Sequence, residues 1–172
     1  MPKDQAQYDS AFKHALKAVE LARKDSDSNA LPGYLDTLAL AHIQLKQPKK
    51  ALELIDEAMN AWSKSNPERR QPKFLKTLVS AADELVVQGS KLDAANVHCR
   101  VLNSGYADAI TAARAHASLQ KLLVTLVNDS KTPPPGKEKE ASDVLRWVRD
   151  SKYADEPTAT LAKQLLGESE AS

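Results

Sequence analysis

The chain has 172 residues, 42% of them hydrophobic and only 5% aromatic, with 24 basic against 23 acidic side chains for a formal charge of +1. Charges of both signs are interspersed, which leaves no electrostatic footprint for nucleic acid or an anionic membrane, and five glycines and one cysteine scarcely furnish a phosphate-cradling loop, a disulfide or a multi-cysteine metal site. The length allows one domain with a core, or a short stack of repeated units, and the dominance of Ala, Leu, Lys and Glu favours helix and no sheet.

In chain order, the opening MPKDQAQYDS lacks the layout of a secretory signal, and no apolar run reaches the roughly 20 residues that span a bilayer, so a soluble, cytoplasmic protein is expected. Helical spacing predicts a first helix from Gln5 to Lys24, closed by the polar DSDSN. A second runs from Pro32 to Leu45 and a third from Pro48 to Trp62, because a proline loses nothing in a first turn. The turn between them is so short that the two should pair antiparallel. The segment KSNPERRQPK connects onward to a fourth helix, Lys73 to Gln88, stopped by Gly89. Ser90 with Asp93 resembles a capping box for a fifth helix reaching Asn103, ended by Gly105. A sixth runs from Tyr106 to Asn128, TPPPG forms a stiff loop, and a seventh covers Glu138 to Ser151. Asp155 caps a last helix that ends at Gly167.

A small or medium apolar residue recurs at relative positions 0, +4 and +7 of alternate helices: Ala11, Ala15, Ala18; Ala51, Ile55, Ala58; Ala94, His98, Val101; Ala141, Leu145, Val148. The starting alanines, Ala11, Ala51, Ala94 and Ala141, lie 40, 43 and 47 residues apart, so the repeating unit is a helical pair. Small residues on one face let helix backbones approach closely. Leu35, Leu38 and Ala39 supply an opposing face on the second helix, and Leu78, Ala81 and Ala82 on the fourth.

With Leu35, Leu38, Ala39 and His42 followed by Ala51, Ile55 and Ala58, residues 33 to 62 resemble the tetratricopeptide repeat (TPR) family. Residues 75 to 102 follow through Leu78, Ala81, Ala82, Leu85, Gly89, Ala94, His98 and Val101. The aromatic positions of that family are taken here by His42, Ile55 and His98, and the period exceeds its usual length of about 34. The resemblance implies an all-α fold, an α-solenoid of seven to eight elongated helices in TPR-like antiparallel hairpins, within one domain. Its parts would be an N-terminal second-of-pair or capping helix (1–30), two TPR-like repeats (31–63 and 70–105), a divergent pair with a Pro-rich loop (106–151), and a capping helix with a tail (155–172).

Catalysis and cofactors are not expected. His14, His42, His98 and His116 are too dispersed for a metal motif, and His42 and His98 occupy packing positions. Cys99 and His98 are adjacent on a helix and point about 100° apart, which spoils a nucleophile and base pair. No nucleophile elbow or dinucleotide fingerprint occurs. Trp62 and Trp147 near helix ends suit packing between units.

The TPR resemblance further implies a concave wall built by the first helix of each pair. Its groove residues would be Asp36, Thr37, Leu40, Ile43 and Gln44, then Lys76, Val79, Ser80, Asp83 and Val87, a mixed and slightly acidic surface. The clamp by which some TPR domains hold chaperone tails is matched here by Lys76 alone. The expected role is a scaffold binding a peptide or helix of another protein that carries a few basic residues. The same scaffold role could also join one part of a larger chain or complex to others; the alternative is a structural unit that self-associates through exposed apolar end faces. A third reading, RNA binding through Lys64, Arg69, Arg70, Lys73 and Lys76, lacks aromatic interleaving.

Overall fold

A computed structural model describes residues 3–24, 29–66 and 71–168. Among these residues the chain forms eight α-helices and no strand: α1 (Lys3–Lys24), α2 (Leu31–Gln44), α3 (Pro48–Ser65), α4 (Pro72–Val87), α5 (Lys91–Asn103), α6 (Ala109–Asp129), α7 (Glu138–Arg149) and α8 (Glu156–Leu165). Residues 25–28, Arg69 and Arg70 of the basic connection, and the tail after residue 168 were all used in the expectations above and lie outside the described residues.

Proline opens the first turn of α2, α3, α4 and α8, where its missing N–H costs nothing. Asp155 caps α8 as expected, its carboxylate accepting from the Thr158 N–H at 2.9 Å. Three local expectations need correction. α6 starts at Ala109 rather than Tyr106, because Asp108 adopts an extended backbone and accepts from the Thr111 N–H at 2.8 Å, the geometry of an N-cap. α3 continues to Ser65, one turn past Trp62. Ser90 makes no side-chain cap to α5: its ψ of 59° is not the extended value a capping box needs.

The turn between α2 and α3 holds a surprise. Lys46, not a glycine, takes the left-handed conformation (φ 60°), which costs an L-residue about 1 kcal/mol. Two backbone bonds of the turn hold it there, Lys46 N–H to the Ile43 carbonyl and Gln47 N–H to the His42 carbonyl, both at 2.9 Å, the Schellman closure of a helix end. Glu84 of α4 and Gln88 just after it brace the turn, the Lys46 Nζ lying 2.8 Å from Glu84 Oε2 and Gln88 Nε2 donating to the Lys46 carbonyl at 2.8 Å.

Each helix packs on its neighbours in sequence. In addition α2 packs on α4, α4 on α6, and α6 on α8. One apolar cluster draws on all eight helices. The alanine frame is central to it: Ala39, Ala51 and Ala58 are 0% exposed, and Ile55, Ala94, His98, Val101, Leu145 and Val148 are buried with them. On the even-numbered helices the same four-place frame extends beyond the expected α2 and α4, to Leu119, Leu122, Leu123 and Leu126 of α6 and Thr158, Leu161, Ala162 and Leu165 of α8.

Ion pairs lace the odd-numbered helices together. Arg23 of α1 forks onto Glu57 of α3 at 3.0 and 2.6 Å, Arg100 of α5 holds Asp56 of α3, and Lys49 faces Asp93 at 3.8 Å. Exposed pairs of this kind contribute little individually. His98 is fully enclosed and neither ring nitrogen has a partner, so burial holds its pKa below the usual imidazole range and the ring serves as a neutral packing group. His42 is half-buried, with Nδ1 2.8 Å from Gln47 Oε1 and its ring edge-on to Phe12. Trp62 packs against Phe74, joining α3 to α4.

Candidate functional site

The side of α2, α4 and α6 not consumed by the core is the best candidate surface. Of the ten expected groove residues, Thr37, Leu40, Gln44, Lys76 and Val87 are exposed, and Val87 is 75% so. Ser80 and Asp83 are half-buried. Asp36, Ile43 and Val79 are instead buried, Val79 to 1% exposure, because α2 and α4 pack directly side by side and close over the positions between them. Asp36 accepts from Thr77 Oγ1 at 2.7 Å across that contact.

Electrostatics change with this placement. Asp36 is withdrawn from the surface, and Asp83 is engaged by Arg114 of α6. Lys76 is matched by Asp108 at 3.1 Å. The acidic character expected of the groove is therefore neutralised from within, and the preference for a basic partner loses its basis. Among the described residues Lys121 of α6 is exposed and makes no ion pair, which leaves the α6 portion with one uncompensated cation.

α6 is the part that the TPR resemblance missed. Ile110, Arg114, Ala117, Lys121 and Val124 recur at helical spacing along its exposed side, Ile110 being 82% exposed. A cleft of about 250 Å³ lies where α4, the start of α5 and α6 meet. Val86 and Leu122 give it an apolar floor, and Asp83, Lys91 and Lys121 provide charge at its edge. Lys91 is held by Asp129 at 2.7 Å. The signal was present in the spacing of Leu119, Leu122, Leu123 and Leu126, which repeats that of Leu78, Ala81, Ala82 and Leu85. It is masked by leucine at places where a small residue was sought.

Two other concavities have less to offer. One, of about 280 Å³, lies between α6, Pro133, Pro134 and α7, and its charged rim is closed by the Lys137–Glu140 pair. The other lies on α3 beside Glu53, Asp56 and Glu57, two of which are already bound to Arg100 and Arg23. Among the described residues no group of three His, Cys, Asp or Glu side chains could hold a metal ion, and no helix is long and apolar enough to cross a membrane. The Cys99 thiol is half-buried, and burial pushes its pKa up, away from the reactive thiolate.

The Asp36–Thr77 contact makes a pH prediction. Desolvation raises the Asp36 pKa, while the Thr77 hydroxyl and the charge of Lys73 oppose the rise. A carboxyl with a raised folded-state pKa holds its proton better in the fold. Its contribution to stability is thus greatest at acid pH and is lost as pH rises through the raised value. Asp36→Asn keeps an oxygen to accept from Thr77 and removes the buried charge. The variant is expected to melt at a higher temperature than the wild type at pH 7, with the gap closing at acid pH; a lower melting temperature at pH 7 would contradict the assignment.

Compared with known proteins, the chain matches no family model and no curated protein at a significant level. What the structure defines is an all-helical protein with a continuous even-helix contact row and a mixed-charge, partly apolar face beside it.

Proposed function

We propose that this protein is a non-catalytic scaffold: a TPR-like α-solenoid of antiparallel helical hairpins that binds a peptide or helix of another protein along the face of α2, α4 and α6. The reading is supported chiefly by the contact row α2–α4–α6–α8, which lines up the first helix of each pair as the wall of a helical stack would. Exposed Leu40, Val87 and Val124 supply apolar anchors along that wall, and the cleft at Val86 and Leu122 supplies a recess for one side chain. Burial of Asp36 and the pairing of Asp83 with Arg114 and of Lys76 with Asp108 favour a partner that docks through apolar residues, with one acidic group near Lys121.

The test is direct. Peptides selected from a displayed library against the wild-type protein are measured by fluorescence anisotropy against a Leu40→Asp, Val87→Asp, Val124→Asp triple variant. All three positions are exposed, so the helical circular dichroism should persist. Loss of at least about tenfold in affinity, or roughly 1.4 kcal/mol, is expected. Unchanged affinity would refute the face.

A further inference from the structure

The middle place of the alanine frame is filled by Ala15 on α1, Ile55 on α3, His98 on α5 and Leu145 on α7. All four are buried, Ile55 and His98 to 0% exposure. Three of them are apolar, so the packing of this place asks for an apolar side chain of suitable volume and not for a polar ring. His98 is the one titratable group in the row.

Its surroundings give the ring no means of carrying a charge. Neither Nδ1 nor Nε2 has a partner among the described residues, although an imidazolium presents two donors. α5 packs on α4 and on α6. From those helices Asp83 and Arg114 act on the ring with opposite sign, and the two are already paired with each other. The remaining charges of α4 and α6 are engaged elsewhere or lie at the surface: Lys76 with Asp108, Glu84 with Lys46 and Asp129 with Lys91, while Lys73, His116 and Lys121 are exposed. The ion pairs that reach α5 from α3, Arg100 with Asp56 and Asp93 with Lys49, are exposed too. A proton added to His98 would therefore create an enclosed cation with no carboxylate of its own, the costly case for a buried charge.

We propose that His98 is an acid-sensitive joint at the centre of the α4–α5–α6 layer: the layer is closed while the ring is neutral, and α5 loosens from α4 and α6, ahead of the rest of the fold, when the ring takes a proton. The sign follows from linkage. Burial holds the ring's folded-state pKa below its ordinary value of 6.5, so an opened state binds the proton more readily than the closed one. The contribution of the neutral ring is whole above 6.5 and is lost as pH falls from there through the lowered folded value. Within that window one proton favours opening by up to about tenfold per pH unit. The joint belongs to the core and stands independently of the peptide-binding face.

The experiment compares the wild type with His98→Leu, which places here the residue that α7 carries at Leu145. Urea unfolding is measured for both at about pH 7.5 and about pH 5; the unfolding constant of the wild type, relative to that of the variant, is expected to rise about fivefold or more on acidification. A purely structural role would offset the two proteins equally at both pH values, and that result would overturn the proposal. Amide hydrogen exchange then locates the opening. Protection factors of the wild type at the acid pH are expected to fall by a larger factor in α5 than in α3, with the difference absent in the variant; an equal fall in both helices would overturn the joint. If His98→Leu loses its helical circular dichroism, His98→Gln, which cannot titrate either, takes its place with the same readouts.

Discussion

Phe74→Ala is expected to lower stability by about 3–5 kcal/mol, read as a shift of the urea midpoint with little change in slope. Phe74 opens α4 and is 1% exposed. Its ring meets Trp62 of α3 edge-on, with centroids 6.5 Å apart, and Lys73 lies 5.2 Å from the ring centroid. Removing it takes away a large buried surface and leaves a void between two helices whose connection spans the undescribed residues 67–70. Since small domains have only about 5–15 kcal/mol in total, the variant should be partly unfolded near physiological temperature. A loss below about 1 kcal/mol would mean that the α3–α4 junction is much looser than this packing requires.

Ala58→Leu tests the alanine seam from the opposite direction. Ala58 is wholly enclosed on α3, with α2 and α4 packed on that helix. Added methylenes have no void to enter, so the helices must separate or side chains must leave their rotamer minima, at a cost of roughly 1–3 kcal/mol. Ala18→Leu, at the same frame position of α1, is the internal control. That position is half-exposed and should change stability by no more than about 0.5 kcal/mol. Equal effects at the two sites would show that enclosure of the seam does not govern the response.

The sequence carried much of the helical order because its punctuation is chemical: prolines in the first turns of α2 and α3, glycine after α4, α5 and α8, and an aspartate that caps α8, whereas Pro72, assigned to the connection, proves to open α4. The seam residues were legible for the same reason, since spacings of four and three keep side chains on one helical face. What remained hidden was set between helices. Periodicity marks Asp36, Ile43 and Val79 as lying off the main apolar stripe, but their burial follows from α2 and α4 lying side by side, which no single helix encodes. The α6 contribution escaped because leucines at 122 and 123 stand where a small residue was sought. Lys46 was not read as left-handed because glycine is the usual residue at that position past a helix end, although the bonds that close it run to Ile43 and His42 in the preceding turn.

That last arrangement bears on cooperativity. The bend joining α2 to α3 uses an intrinsically unfavourable backbone conformation, closed by its own backbone bonds and braced by Glu84 of α4 and Gln88 just after it. Melting α4 withdraws that brace and leaves the turn to its local bonds, and opening the turn takes the Lys46 ammonium away from the buried Glu84 side chain. The two segments therefore lend each other stability, so that opening of one is expected to ease opening of the other.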